Sequence, residues 1–296
     1  MSHPQVALTN EAIAELDHPE DGTHEIAADL AYRRLAMVNV VFFGTPHCED
    51  RGWVLIDTGV SGLGKLIENA AAERFGKNNR PAAIILTHGH FDHVGNLKAL
   101  AEAWDAPIYA HPLEYPYLTG KAAYPPPDTS VGGGIMPTFA PLFPAGPIDV
   151  SNWLNLLPEN GEVPFMPGWR WIHTPGHSPG HVSLWRESDR ALIAGDAFIT
   201  THQESAYSVI TQKPEMHGPP TYFTIDWEAS RKSVVMLAEL EPDLAVTGHG
   251  RAMQGPQMLA ALQVLAWDFQ KVAGPPQGRY VLHPARAEDG SAYREP

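Results

Sequence analysis

The stretch Thr87-His88-Gly89-His90-Phe91-Asp92-His93 packs three histidines and an aspartate into six consecutive positions. Upstream, Ala82-Ala83-Ile84-Ile85-Leu86 is a short apolar run after Pro81 and reads as a buried strand. Downstream, Leu97, Leu100, Ala101 and Trp104 recur at the spacing of one helical face. The polar cluster therefore sits where a strand ends and a helix begins. In open α/β sheets ligands bind at that end of the strands, because the turn gathers side chains at a crevice lined by backbone N–H groups.

The rest of the 296 residues bounds what such a crevice can serve. A hydrophobic fraction of 44% and a charged fraction of 18% suit a globular chain with a substantial core. The balance of 20 Lys+Arg against 34 Asp+Glu leaves a formal charge of -14, which repels a phosphate backbone, so nucleic acid is not expected as a partner. Cys48 is the only cysteine, which excludes an intramolecular disulfide and a thiolate-rich zinc finger and suggests a reducing compartment. The first residues lack the basic start and apolar core of a secretory signal. No run approaches the roughly 18 apolar residues of a membrane span, so no membrane partner and a cytoplasmic location are expected.

Taken in order, 35–43 reads as a strand, 53–56 as a second, 63–75 as a helix and 107–110 as a further strand. Residues 112–168 differ, with prolines throughout and Gly132-Gly133-Gly134, a composition that cannot sustain a long helix or a central strand. Tyr115, Tyr117, Tyr124, Phe139, Phe143, Trp153 and Phe165 make it unlike a disordered linker, so a packed insertion is expected, roofing a pocket or meeting a second subunit. A homodimer is the corresponding expectation, within a single domain over 1–296. Beyond it, strands are expected at 169–173, 181–185, 191–194 and 244–246, and helices at 228–240 and 258–272. Each half presents acidic and histidine residues just after a short apolar strand, which predicts two α/β layers facing across one cleft.

Four places carry the chemistry: the first cluster, His177 in Thr174-Pro175-Gly176-His177, Asp196 in Ala194-Gly195-Asp196, and His249 in Thr247-Gly248-His249-Gly250. Together they offer five imidazoles and two carboxylates, a donor set for borderline divalent ions such as zinc, whereas calcium or magnesium would favour oxygens alone. Seven ligands exceed one tetrahedral zinc and match two metals about 3.5–4 Å apart. Manganese, iron and cobalt accept the same donors.

The run His88-x-His90-x-Asp92-His93 followed by His177, Asp196 and His249 resembles the metallo-β-lactamase-fold superfamily of metallohydrolases, and Asp57-Thr58-Gly59 resembles a further landmark of it. The resemblance spans roughly residues 35–255, with the Pro-rich insertion outside the shared core. It implies an αββα sandwich of two mixed β-sheets flanked by helices, with metals at one edge. It also implies that His88, His90 and His177 hold one metal, that Asp92, His93 and His249 hold the other, that Asp196 bridges them, and that Asp57 orients ligands by hydrogen bonds.

Departures narrow the activity. True zinc β-lactamases lack a bridging aspartate at the position of Asp196, and flavin-dependent relatives place glutamate at that of His90. The group resembling glyoxalase II, lactonases and related esterases remains. The expected reaction is hydrolysis of an ester, lactone or thioester in a small-molecule substrate by a hydroxide shared between two cations, with Asp92 passing a proton to the leaving group. Competing expectations are a persulfide dioxygenase-like enzyme with one iron, a β-lactam hydrolase, and a metal-binding scaffold without catalysis. His202, Tyr207 and Tyr222 lie between Asp196 and His249 and are the candidate substrate contacts. Arg251 alone does not reproduce the basic cluster a glutathione thioester calls for. His181 is expected behind the ligands or packed in its strand, His173 to be structural, and His111 to lie at the surface or behind the ligands.

Overall fold

In the computed structural model, which describes residues 6–15, 22–131, 144, 146–203 and 213–296, two mixed sheets stack face to face. After the two-residue β1 (Val6–Ala7), seven strands form one sheet in sequence order: β2 (Thr23–Ala27), β3 (Leu30–Leu35), β4 (Val38–Phe43), β5 (Val54–Ile56), β6 (Ala83–Ile85), β7 (Ile108–Ala110) and β8 (Leu154–Leu156). The pairs from β2 to β5 are antiparallel and those from β5 to β8 parallel. The second sheet uses β9 (Trp169–His173), β10 (Val182–Arg186), β11 (Ala191–Gly195), β13 (Leu244–Thr247) and β14 (Met253–Gln254), in the order β14-β13-β11-β10-β9. Between them in sequence, β12 (Glu215–Met216) pairs with β1.

Period-two alternation explains the layers. On β6, Ala83 and Ile85 face the other sheet, where they meet Val182, Leu184 and Ile193, while Ile84 turns outward. That outer face is covered by helices Gly64–Phe75 and Leu97–Trp104 through Ile67, Ala70, Leu97 and Leu100. Leu192 and Ala194 of β11 turn to the opposite outer face, under helices Trp227–Glu239 and Gly255–Trp267. The result is the expected αββα sandwich.

Three expectations need correction. The strand expected at 35–43 is a hairpin, because Ala36 takes φ +58° and turns the chain before β4. The last helix ends at Trp267, and a separate turn of helix covers Phe269–Val272. The Pro-rich segment is not wholly outside the sandwich, since β8 lies at the sheet edge, where proline-bounded strands are tolerated. Gly132–Gly134, Phe139 and Phe143 fall outside the described residues.

Candidate metal centre

Parallel neighbours end on the same side of a sheet, so β5, β6 and β7 deliver the residues just past them to one edge: Asp57, the histidine cluster, and Glu114. In the second sheet β11 and β13 run parallel and deliver Asp196 and His249, and the turn after β9 delivers His177. All seven expected ligands are buried and converge. The ligand atoms form three groups, each within 4.8 Å: His88–His90–His177, Asp92–His93–His249, and His88–His93–Asp196.

In the first group His88 Nε2 lies 3.1 Å from His90 Nδ1, which lies 2.8 Å from His177 Nε2. Asp196 Oδ2 stands between the groups, 3.4 Å from His177 Nε2, 3.5 Å from His93 Nε2 and 3.1 Å from His249 Nε2. Asp92 Oδ2 is 3.5 Å from His249 Nε2. Asp196 Oδ2 is thus within 3.5 Å of ring nitrogens from both histidine groups.

The far sides of the rings are held by the protein. Asp57, at φ +59°, pairs with His93 Nδ1 at 2.7 Å and accepts from the Thr87 amide and hydroxyl at 2.8 and 2.7 Å. The Met37 carbonyl pairs with His249 Nδ1 at 2.6 Å, and the Thr224 hydroxyl lies 3.4 Å from His177 Nδ1. His181 sits behind Asp196: its Nε2 accepts from the Asp196 amide at 2.8 Å, and its Nδ1 meets the Thr174 hydroxyl at 2.8 Å. Gly248 closes the cradle, because a methyl there would overlap Asp196 Oδ1 and press on His93 Cε1 at 2.9 Å.

Charge obeys the same division. Burial holds His88, His90 and His177 below the ordinary histidine range, His90 down to about 3, and the neighbouring histidines add to the effect. Burial opposes charge on His93 and His249 as well, yet Asp196 and its fellow carboxylates outweigh it and both pKa values rise. Asp196 is held far below the carboxylate range against its burial, by His249 and His93, and burial pushes Asp92 up.

Neutral imidazoles with converging lone pairs are what a divalent cation binds. Among the described residues, buried His93 Nε2 and Asp196 Oδ1 have no hydrogen-bond partner, a costly state that ligation would relieve. The donors present therefore fit two divalent cations.

Of the expected substrate contacts, Tyr222 lines the site with Met37, Phe91, Gln203, Pro220 and Phe223, around a space of about 10 Å³. His202 does not line it and stacks on His217 at 5.2 Å, while Tyr207 lies outside the described residues. His173 is structural as expected, with Nε2 donating to the Pro179 carbonyl at 2.8 Å. His111 is buried, not at the surface, and stacks on His173 at 4.2 Å. Arg251 is committed to Glu15. Two residues near the centre carried no local signal of a role: Glu114, isolated in a Pro-rich segment, and Phe223, whose ring lies 5.4 Å from that of His90.

A two-sheet sandwich whose strand ends bring histidines and carboxylates into adjoining groups defines the class of metal-dependent hydrolases. Residues 33–249 match the family model for the metallo-beta-lactamase superfamily, and the chain belongs to that superfamily. It is 44% identical over 266 residues to the probable metallo-hydrolase YflN of Bacillus subtilis (strain 168), a match covering 90% of this chain and 98% of that one. A second relative from the same organism, the probable metallo-hydrolase YybB, is 31% identical over 196 residues, 66% of this chain and 74% of its own. Among solved structures, TTHA1623 in a di-iron-bound form is similar with TM-score 0.50 and 27% identity, over 78% of this chain and 95% of that one. A beta-lactamase domain protein from Burkholderia ambifaria shares the fold with TM-score 0.60 at 20% identity, over 88% of this chain and 78% of its own.

Proposed function

We propose that this chain is a two-metal hydrolase of an ester, lactone or thioester whose acyl part is uncharged. The observation that carries the reading is the position of Asp196 Oδ2, within 3.5 Å of ligand nitrogens from both groups. His88, His90 and His177 would hold one cation, Asp92, His93 and His249 the other, and Asp196 both. Divalent cations in such a pair supply Lewis acidity, polarising a carbonyl oxygen and acidifying water near neutral pH.

The chain's own groups do the rest. Asp57, Met37 and His181 keep the ligands in one orientation. Phe91, Tyr222 and Phe223 would shield the reacting carbonyl from bulk water, and the Asp92 carboxylate, on the same wall, would take a proton from the attacking water and pass it to the departing oxygen or sulfur. The preference for an uncharged acyl group is supported by the wall: among the described residues it holds Met37, Phe91, Pro220, Tyr222, Phe223 and Gln203 beside the ligands, and Arg251 is neutralised by Glu15.

The test is metal analysis of the purified protein beside a hydrolysis screen of lactones, aryl esters, thioesters, phosphoesters and β-lactams. Two tightly bound metals with turnover of neutral esters or lactones is the expected result. One iron per chain with oxygen consumption, or full loading with no ester, lactone or thioester turnover, would overturn it.

A further inference from the structure

Glu114 ends the short 3-10 turn Pro112–Glu114, just past β7, and is 0% exposed. Its Oε2 accepts from the Gly89 amide at 2.9 Å and from the Tyr124 hydroxyl, and its Oε1 accepts from the Ser178 hydroxyl and the Gly180 amide, both at 2.8 Å. Gly89 separates His88 from His90, and Ser178 is next to His177. One carboxylate thus fastens the turn that presents two histidines from the first sheet to the turn that presents the third from the second sheet.

The fit on both sides is close. A Cβ on Gly180 would stand 2.8 Å from Glu114 Cγ, and one on Gly89 would stand 2.7 Å from the Tyr124 hydroxyl. Tyr124 also accepts from the Gly89 amide at 3.0 Å, lays its ring against His90 at 4.3 Å, and is itself stacked on Tyr117 at 3.6 Å. A buried carboxylate is an expensive way to fill core space unless its bonds do something an apolar side chain could not. Here all four donors lie on, or against, the two turns that carry His88, His90 and His177.

We propose that Glu114, seconded by Tyr124, is a positioning residue that fixes the span between these two turns and so sets the affinity and ligand field of the cation held by His88, His90 and His177. The inference rests on the two-metal reading above. It gives the Pro-rich segment a definite task, since both residues come from it.

The test titrates cobalt(II) into metal-free wild type, Glu114→Gln, Tyr124→Phe and, as a control, Asp128→Asn, following the visible cobalt spectrum and each variant's metal-free melting temperature. Asp128 is likewise a buried carboxylate that bonds loop groups, Ser130 and the Arg279 amide, but none of the ligand turns. Gln offers an amide N–H to one of the two turns where an acceptor is needed. In Glu114→Gln one of the two cobalt sites is expected to weaken by roughly 10–100-fold, with a changed spectrum, while the other stays as in wild type. Tyr124→Phe, which keeps the ring, weakens the same site less and decides the matter should Glu114→Gln not fold. Asp128→Asn lowers the melting temperature and leaves both sites and the spectrum intact. Variants at 114 and 124 that lose only melting temperature, with both cobalt sites and the spectrum unchanged, would overturn the proposal alone. A wild type that binds no cobalt tightly overturns the two-metal reading and this inference with it.

Discussion

Single atoms decide much at this centre, and Gly248 shows it most directly. Its amide donates to the Gly195 carbonyl at 2.8 Å, and its carbonyl accepts from the Asn39 amide at 2.7 Å, so the backbone is pinned from both sheets and cannot retreat. Gly248→Ala must therefore displace the Asp196 carboxylate. Overpacking of this kind costs about 1–3 kcal/mol, and the expected outcome is a chain that folds less stably and loses metal from both groups at once, read by metal analysis and urea unfolding. Retention of two metals with unchanged stability would show that the cradle yields. His111 makes a different prediction. Burial, assisted by His173, holds its imidazole down to about 4 from an ordinary value near 6.5, so the unfolded chain binds its proton first as pH falls. Above pH 6.5 the group leaves stability unchanged; from there to about 4 it progressively destabilises the fold, and below 4 the loss is complete. Between pH 7.5 and 5.0 the loss from this residue, reduced by solvent screening of a ring that is not fully enclosed, is on the order of 1 kcal/mol. His111→Asn keeps an acceptor for the Leu113 amide and removes the titration, so its unfolding free energy should fall less over that interval; parallel pH profiles for the two proteins would refute the assignment.

Among the elements, the helix Trp227–Glu239 ties the site to the outer layer. Asp226 caps it, accepting from the Ala229 amide at 3.0 Å and from Arg286 Nε at 2.6 Å, while the Ile225 and Asp226 amides donate to the Gly176 carbonyl just before His177. Asp226→Ala removes the cap and the Arg286 contact and should cost about 1–2 kcal/mol in urea unfolding. A change within a few tenths of a kcal/mol would mean that the Gly176 contacts alone hold the helix start. The apolar-periodic run of this helix was legible in the sequence, as were the strands before His88, Asp196 and His249, because their alternation and apolar runs are local signals, whereas the Asp226 cap emerged only from the structure. The Ala36 turn was not, because Leu35, Ala36 and Met37 are apolar and the reversal is set by one positive φ with no glycine or proline to announce it. Nor was Glu114: a lone acid in a Pro-rich stretch looks solvated until tertiary contacts supply its four donors.

Across the whole molecule, the seven candidate ligands come four from the turn and short helix (Phe91–Val94) after β6 in the first sheet and three from turns after β9, β11 and β13 in the second. That division was legible in outline, since both halves repeat the pattern of strand, then glycine and a polar ligand. Which ligand faces which was implied only by family resemblance, because spacing along a chain does not encode a distance between sheets. Cations held here would staple the two sheets together, adding to the inter-sheet layer of Val54, Ile56, Ile85, Leu184, Ile193 and Val246. Binding that is confined to the folded state stabilises by RT ln(1 + [L]/Kd), about 4 kcal/mol at a thousandfold excess over Kd. For a chain of this size, stripping the metals with a chelator should lower Tm by on the order of 10 °C. The loss should reverse on adding back zinc, manganese, iron or cobalt, and the cation restoring both Tm and turnover identifies itself as competent. The metal-free protein should still melt cooperatively, since the apolar layers remain, whereas a Tm indifferent to chelator, with metal shown to be gone, would mean that the sheets hold their spacing without cations.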